Sequence, residues 1–177
     1  MNTQTPHKTI GKKLAIASAI LTLINSVSEA KAQELQRQRE VVAAVLIAEA
    51  GGENHVDGWI FGGMNRRVSI RSGMTMVMIV IQNRARMKNA SYYKVATKPK
   101  QFSCLNGRKE QELVASAKKH PLWNMAMMQA MGVPNDWMAL NSITHYYAHK
   151  TGHRPPRWAV GQPVVAAVGN HLFYAIK

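Results

Sequence analysis

Cysteine and acid are what this 177-residue chain has least of: it holds one Cys, and nine Asp and Glu against 23 Lys and Arg. A single Cys excludes an internal disulfide and any cysteine-built zinc or iron–sulfur site, leaving His and carboxylates as the available metal ligands. Chemistry with no cofactor and no metal is therefore the expectation. Charged residues make up 18% of the chain and hydrophobic ones 46%. That is too little charge for a disordered polymer and enough apolar material for about one packed domain. The shortage of acid leaves a formal charge of +14 and a pI near 10.3. Such an excess calls for a polyanionic partner, which could be nucleic acid, an anionic membrane or an acidic cell-wall polymer.

Long apolar runs are also missing. Lys8, Lys12 and Lys13 precede a short one, Leu14–Ile24, interrupted by Ser18 and Thr22, and Ala30-Lys31-Ala32 supplies small residues at the spacing of a cleavage site. This is the pattern of a secretory signal peptide over residues 1–32. The run is too short for a hydrocarbon core roughly 30 Å thick, so a permanent anchor is the weaker reading, and a buried N-terminal helix is another. Membrane contact is then transient, through the leader alone. The mature chain, residues 33–177, keeps a charge of +11. Export to the periplasm or cell envelope removes it from nucleic acid, so an envelope polyanion is the expected partner. A monomer is expected.

In the mature chain, Gln33–Glu40 is a polar lead-in to Val41–Ala48, which is apolar on every side and reads as a buried helix. Gly51 and Gly52 are placed to close that helix in the left-handed conformation. Residues 51–73 hold six glycines and read as loop with one short element. Met74–Met87 reads as a second buried helix with a cationic end, a β-strand being the competing reading. Residues 89–107 are loop-like. Lys109–Met131 is helical but broken at His120-Pro121, which predicts two helices. Thr144–His149 and Asn170–Tyr174 read as short aromatic strands, with loop over Gly152–Trp158 between them. The expected fold is α+β, mainly α, a single domain with a small β element near its C-terminus.

Seven carboxylates lie beyond Gln36, most of them in polar stretches. Glu49 differs, because it follows eight apolar residues in the last turn of a buried helix. Desolvation and the negative end of the helix dipole both disfavour its charged form and raise its expected pKa. A carboxylic acid held protonated is what protonation of a glycosidic oxygen requires. A helix-end carboxylate that turns to solvent or pairs with an arginine is the competing reading.

The stretch Ala48-Glu49-Ala50-Gly51-Gly52-Glu53 resembles the acidic signature of the SleB-type cell wall hydrolases, the family of spore cortex-lytic enzymes and of many bacterial and phage peptidoglycan-degrading proteins. Four further segments match in the family's order: Val80–Arg84, Gln101–Asn106, Thr144–Ala148, and Pro156–Trp158 followed by Gly169–Tyr174. Together they span residues 42–174. The resemblance implies a lysozyme-like fold and a cell wall hydrolase catalytic domain over residues 33–177 that cleaves peptidoglycan glycan strands as a lytic transglycosylase. It implies that Glu49 is the catalytic acid and Glu53 a supporting residue. The chain departs from the pattern between Glu53 and the second helix, where about twenty residues intervene, enough to reshape a cleft.

A two-carboxylate hydrolase needs a second acid roughly 5–9.5 Å from the first. Glu53 lies beyond two glycines, and Asp57, Glu110, Glu112 and Asp136 sit in polar surroundings. A transglycosylase needs one carboxyl group and leaves a 1,6-anhydro-muramic acid end, so the scarcity of acid favours that route. A muramidase-type hydrolase, as in a phage endolysin, is the alternative. Gln101, Phe102 and Ser103 belong to the matched loop, and His145, Tyr146, Tyr147, Trp158, His171 and Tyr174 offer rings and polar tips to sugars. Core packing competes with that role for Tyr147. His145 and His149 would share a face on a helix, but on a strand they lie about 13 Å apart, against a metal site. Cys104 reads as a small buried residue. The rival functions are a non-catalytic envelope-binding protein, a basic nucleic-acid binder and a membrane-disrupting cationic protein. No binding motif supports the second, and the third is opposed by helices that look buried.

Overall fold

Two runs that are apolar on every side, Val41–Leu46 and Met74–Ile81, have no face to turn to water and must be enclosed. The computed structural model describes residues 7–53, 58–61, 67–70, 73–133, 140–149 and 154–176. Contacts divide the chain into two units, Met1–Arg37 and Gln38–Lys177.

The first unit is the outer part of helix α1 (His7–Ala50). Its side chains from Ser18 to Arg37 are all exposed, the apolar Ile20, Leu21, Leu23 and Ile24 among them. The polar lead-in expected at Gln33–Glu40 is helical too, as its Gln, Leu, Glu and Arg residues are strong helix formers. Arg37 Nε donates to Glu34 Oε2 at 2.8 Å one turn away. Among the described residues no helix is long and apolar enough to cross a membrane.

In the second unit α2 (Gly73–Lys88) is the central element. One side, Met74, Val77, Met78, Ile81 and Ala85, packs with Val42–Leu46 of α1 and with buried residues of α3 (Tyr92–Ala96), α4 (Glu110–Ala117) and α5 (Trp123–Gln129). The other, Met76, Ile79 and Val80, packs with Leu140, Ile143, Ala166, Val168 and Phe173. An all-round apolar helix is the consequence of lying between helices and a sheet. The expected second helix is thus present, and so is the break at His120-Pro121, which falls between α4 and α5.

The sheet has five strands in the order β2-β1-β4-β5-β3, all neighbours antiparallel. Strands β3 (His145–Ala148) and β5 (His171–Tyr174) are the two expected aromatic strands. Strand β4 (Val164–Val168) lies in a valine-rich stretch beyond the loop expected at Gly152–Trp158, where no element was expected, and joins β5 through Gly169, whose φ of 53° suits a tight hairpin. Residues 51–73 also differ from the expected loop. They contain β1 (Gly58–Phe61) and β2 (Arg67–Ile70), a hairpin that extends the sheet from β4. Its strands are only four residues long and set among glycines, so their β-forming Trp, Ile, Phe and Val residues are hard to read as strand.

The end of α1 needs one correction. Gly51 and Gly52 do not adopt left-handed backbone; the chain tightens into a 3-10 turn, Gly51–Glu53. A Cβ at Gly51 would lie 3.4 Å from Ile47 Cγ2 and 3.5 Å from His120 Cε1, at ordinary van der Waals contact.

Candidate active site

Glu49 stands in the final turn of α1, just past the buried run, and is half-buried. Its Oε1 accepts from Ser103 Oγ and from the Cys104 backbone N–H, both at 3.2 Å, and its Oε2 accepts from Tyr146 Oη at 3.0 Å. Three donors from a helix-to-helix loop and a strand therefore converge on one carboxylate. The loop segment Ser103–Leu105 is a 3-10 turn, which turns Ser103 and the Cys104 amide toward α1 while Phe102 is buried in the core.

Tyr146 is held by rings. It stacks on Phe173 at 5.5 Å, meets His171 edge-on at 5.3 Å and lies 6.3 Å from Phe102. Burial first, then the Glu49 carboxylate, pushes its phenol well above the usual range, so it remains a hydrogen-bond donor. Burial and the same carboxylate push the Cys104 thiol up to about 12. It stays protonated and is no nucleophile; its contribution is the backbone amide.

Arg84 of α2 lies alongside this group. Its Nε donates to Thr144 O at 2.6 Å and its guanidinium carbon sits 5.8 Å from the Phe102 ring centroid. Burial lowers its pKa, opposed by Tyr146. The preceding residue, Asn83, is buried and donates from Nδ2 to Leu140 O at 2.7 Å and Ile143 O at 2.8 Å. The matched segment Val80–Arg84 thereby fastens α2 to the start of β3, and so sets where Tyr146 stands.

Strand alternation separates the remaining residues into two groups. Register pairs Tyr146 with Phe173 and His145 with Tyr174, so Tyr146 faces α2 and the Glu49 side while His145 and Tyr147 face away. His145, Tyr147 and Tyr174 form a second cluster around Trp158, whose ring centroid lies 5.2, 5.9 and 5.4 Å from theirs. Trp158 is 36% exposed and Tyr174 is buried, its phenol pushed up to about 12 by burial and by a hydrogen bond with Tyr147. Burial, Arg84 and Lys88 lower the His145 imidazole, and its Nδ1 lies 2.9 Å from Thr144 Oγ1. Gln101 is half-buried at the end of a turn, its N–H donating to Lys98 O. Glu53 closes the 3-10 turn after α1, and its side chain lies outside the described residues, as do Asp57 and Asp136.

Of the residues singled out in the sequence, Glu49, Ser103, Tyr146, Phe102 and His171 thus form one group around the carboxylate. Reading residue types alone missed the Cys104 amide, since a backbone donor has no side-chain signal, and Asn83 and Arg84, which act through carbonyls about sixty residues away.

The sequence profile of the Cell Wall Hydrolase family matches residues 69–174. Among solved structures, the chain is similar to the catalytic domain of the Bacillus cereus SleB protein, at 19% identity over 78% of this chain and 90% of that one, with a TM-score of 0.47. No curated protein sequence matches it.

Proposed function

The chain belongs to the Cell Wall Hydrolase family, and from that premise we propose that it cuts the glycan strand of peptidoglycan as a lytic transglycosylase with Glu49 as its single catalytic acid. The family makes it a peptidoglycan-active enzyme; the reaction route and the residue roles are our reading. The observation that supports them most is the convergence of the Ser103 hydroxyl, the Cys104 amide and the Tyr146 phenol on the Glu49 carboxylate. The other acids with described partners are engaged elsewhere, Glu34 with Arg37 at 2.8 Å, Glu40 with Lys118 at 2.9 Å and Glu110 with Tyr93 Oη at 3.0 Å.

In this mechanism protonated Glu49 gives its proton to the glycosidic oxygen as the bond from muramic acid C1 breaks, with the substrate's acetamido group assisting. The carboxylate left behind is the species that three donors stabilise. It then takes the proton of the muramic acid 6-hydroxyl, whose oxygen bonds to C1. The product is a 1,6-anhydro end, no water is consumed and Glu49 is protonated again. Ser103 and Tyr146 would border the reacting sugar, with the buried Phe102 and His171 rings packed against Tyr146. Trp158, Tyr147 and His145 would offer rings to sugars farther along the strand, with the buried Tyr174 packed against Trp158. Gln101 would contribute from the loop.

The chain reaches its substrate by export, with residues 1–32 as the leader. The exposed apolar run of the first unit supports this, as does the charge of +11 that remains beyond residue 32.

Mass spectrometry of the muropeptides released from purified peptidoglycan tests the proposal. The protein should release 1,6-anhydro-muramic acid ends and Glu49→Gln should release none. Reducing ends would instead make it a two-carboxylate hydrolase, with Glu53 the first residue to substitute.

A further inference from the structure

The loop that serves Glu49 also lines a second feature. A cavity of about 520 Å³ is lined by residues including Thr97, Lys98, Lys100, Phe102, Leu105 and Asn106. Ser103 and Cys104, between two of those lining residues, bond Glu49. Cavity and carboxylate thus share one wall, the stretch 102–105.

The cavity is cationic. No carboxylate is among its lining residues, and two lysines are. Lys88, at the end of α2, has its amine lowered by desolvation first and then by the positive charges of Lys98 and Arg84. Arg84 lies over the Phe102 ring, and its Nη1 is buried with no hydrogen-bond partner among the described residues. Neighbouring cations repel one another, and an approaching anion would relieve that repulsion.

The backbone adds a separate observation. Gln101 N donates to Lys98 O at 3.1 Å across Pro99 and Lys100, and Lys100 has a φ of 63°. Proline at the second turn position and left-handed backbone at the third make a type II turn, a place for Gly or Asn. A lysine held in a conformation unfavourable to side-chain-bearing residues points to a use for its ammonium.

We propose that this cavity is an anion subsite for the free carboxylates of the peptide borne on muramic acid, so that the enzyme takes peptide-bearing glycan ahead of bare glycan. The inference rests on the glycan-cleaving reading. Two or three extended residues reach about 7–10 Å, a span suited to a subsite that shares a wall with the acid. The apolar Phe102 and Leu105 and the Asn106 amide suit a peptide better than a phosphodiester polymer. Attachment to the same strand also raises the effective concentration of the peptide at the cavity.

The test compares initial cleavage rates of the full-length protein on intact peptidoglycan and on the same glycan stripped of peptide by an amidase. The intact substrate should be cut roughly five-fold faster, the scale of two or more exposed ion pairs. The double variant Lys98→Gln, Lys100→Gly should bring that ratio to about one without a lower melting temperature, because glycine suits the left-handed position. An unchanged ratio in the variant, or no preference in the parent protein, overturns the proposal. Titration of Glu49→Gln with a peptide-bearing muropeptide and with the bare disaccharide separates the two readings. Absence of cleavage by the parent protein rejects the transglycosylase but leaves this titration decisive. Equal binding of the two ligands, or displacement by a glycerol-phosphate polymer but not by free stem peptide, also overturns the subsite.

Discussion

At the scale of single residues the site turns on who donates to Glu49. Tyr146 is the donor that can be removed most cleanly, since its ring is held independently by Phe173 and His171. Tyr146→Phe deletes one hydrogen bond to a charged acceptor and leaves the packing in place. With such bonds worth about 1.5–3 kcal/mol, kcat should fall at least about ten-fold with KM little changed. Steady-state kinetics on soluble glycan fragments, beside a melting curve that stays within a few degrees, measures it. An unaltered kcat would remove Tyr146 from the mechanism. Glu49 itself was legible in the sequence, because an acid directly after an apolar run is a local anomaly. Its partners were less so. Ser103 and Tyr146 were named as sugar contacts, and in the structure both donate to the acid as well.

At the scale of elements, α2 connects helices to sheet and Asn83 is its fastener. The Asn83 side chain satisfies two carbonyls at the turn that leads into β3, so Asn83→Ala leaves both without their donor in a buried place. The expected cost is roughly 2–4 kcal/mol, read from urea unfolding, with residual activity measured below the new melting point. A loss under 0.5 kcal/mol would mean that water replaces the amide. Helices α2, α4 and α5 and strands β3 and β5 could be read from run length, the His120-Pro121 break and aromatic content. The hairpin β1–β2 and strand β4 could not, because four or five residues carry too little period to separate strand from loop. What joins them into one sheet is the pairing of β1 with β4, more than a hundred residues distant.

At the scale of the whole molecule the charge of +14 governs encounter with an anionic polymer and says nothing of the fold. Above an ionic strength of 0.1 M the Debye length falls below about 10 Å, so exposed lysines lose their reach. Cosedimentation of Glu49→Gln with purified cell walls should weaken several-fold between roughly 0.05 and 0.3 M salt while its melting temperature moves little. Binding indifferent to salt would locate affinity in the aromatic contacts.

The amino-acid order by itself determined the helices of the core, the two aromatic strands, the basic surface and the one acid placed against an apolar run. Each is written in neighbouring residues, through period, punctuation and composition. Only the tertiary structure decided what surrounds that acid. Ser103 and Tyr146 reach it from 54 and 97 residues away, and strand alternation turns Tyr146 inward and Tyr147 outward although both are tyrosines in one segment. Such contacts depend on how α2 fastens to the turn before β3 and on which strands pair, and local preferences carry no information about either.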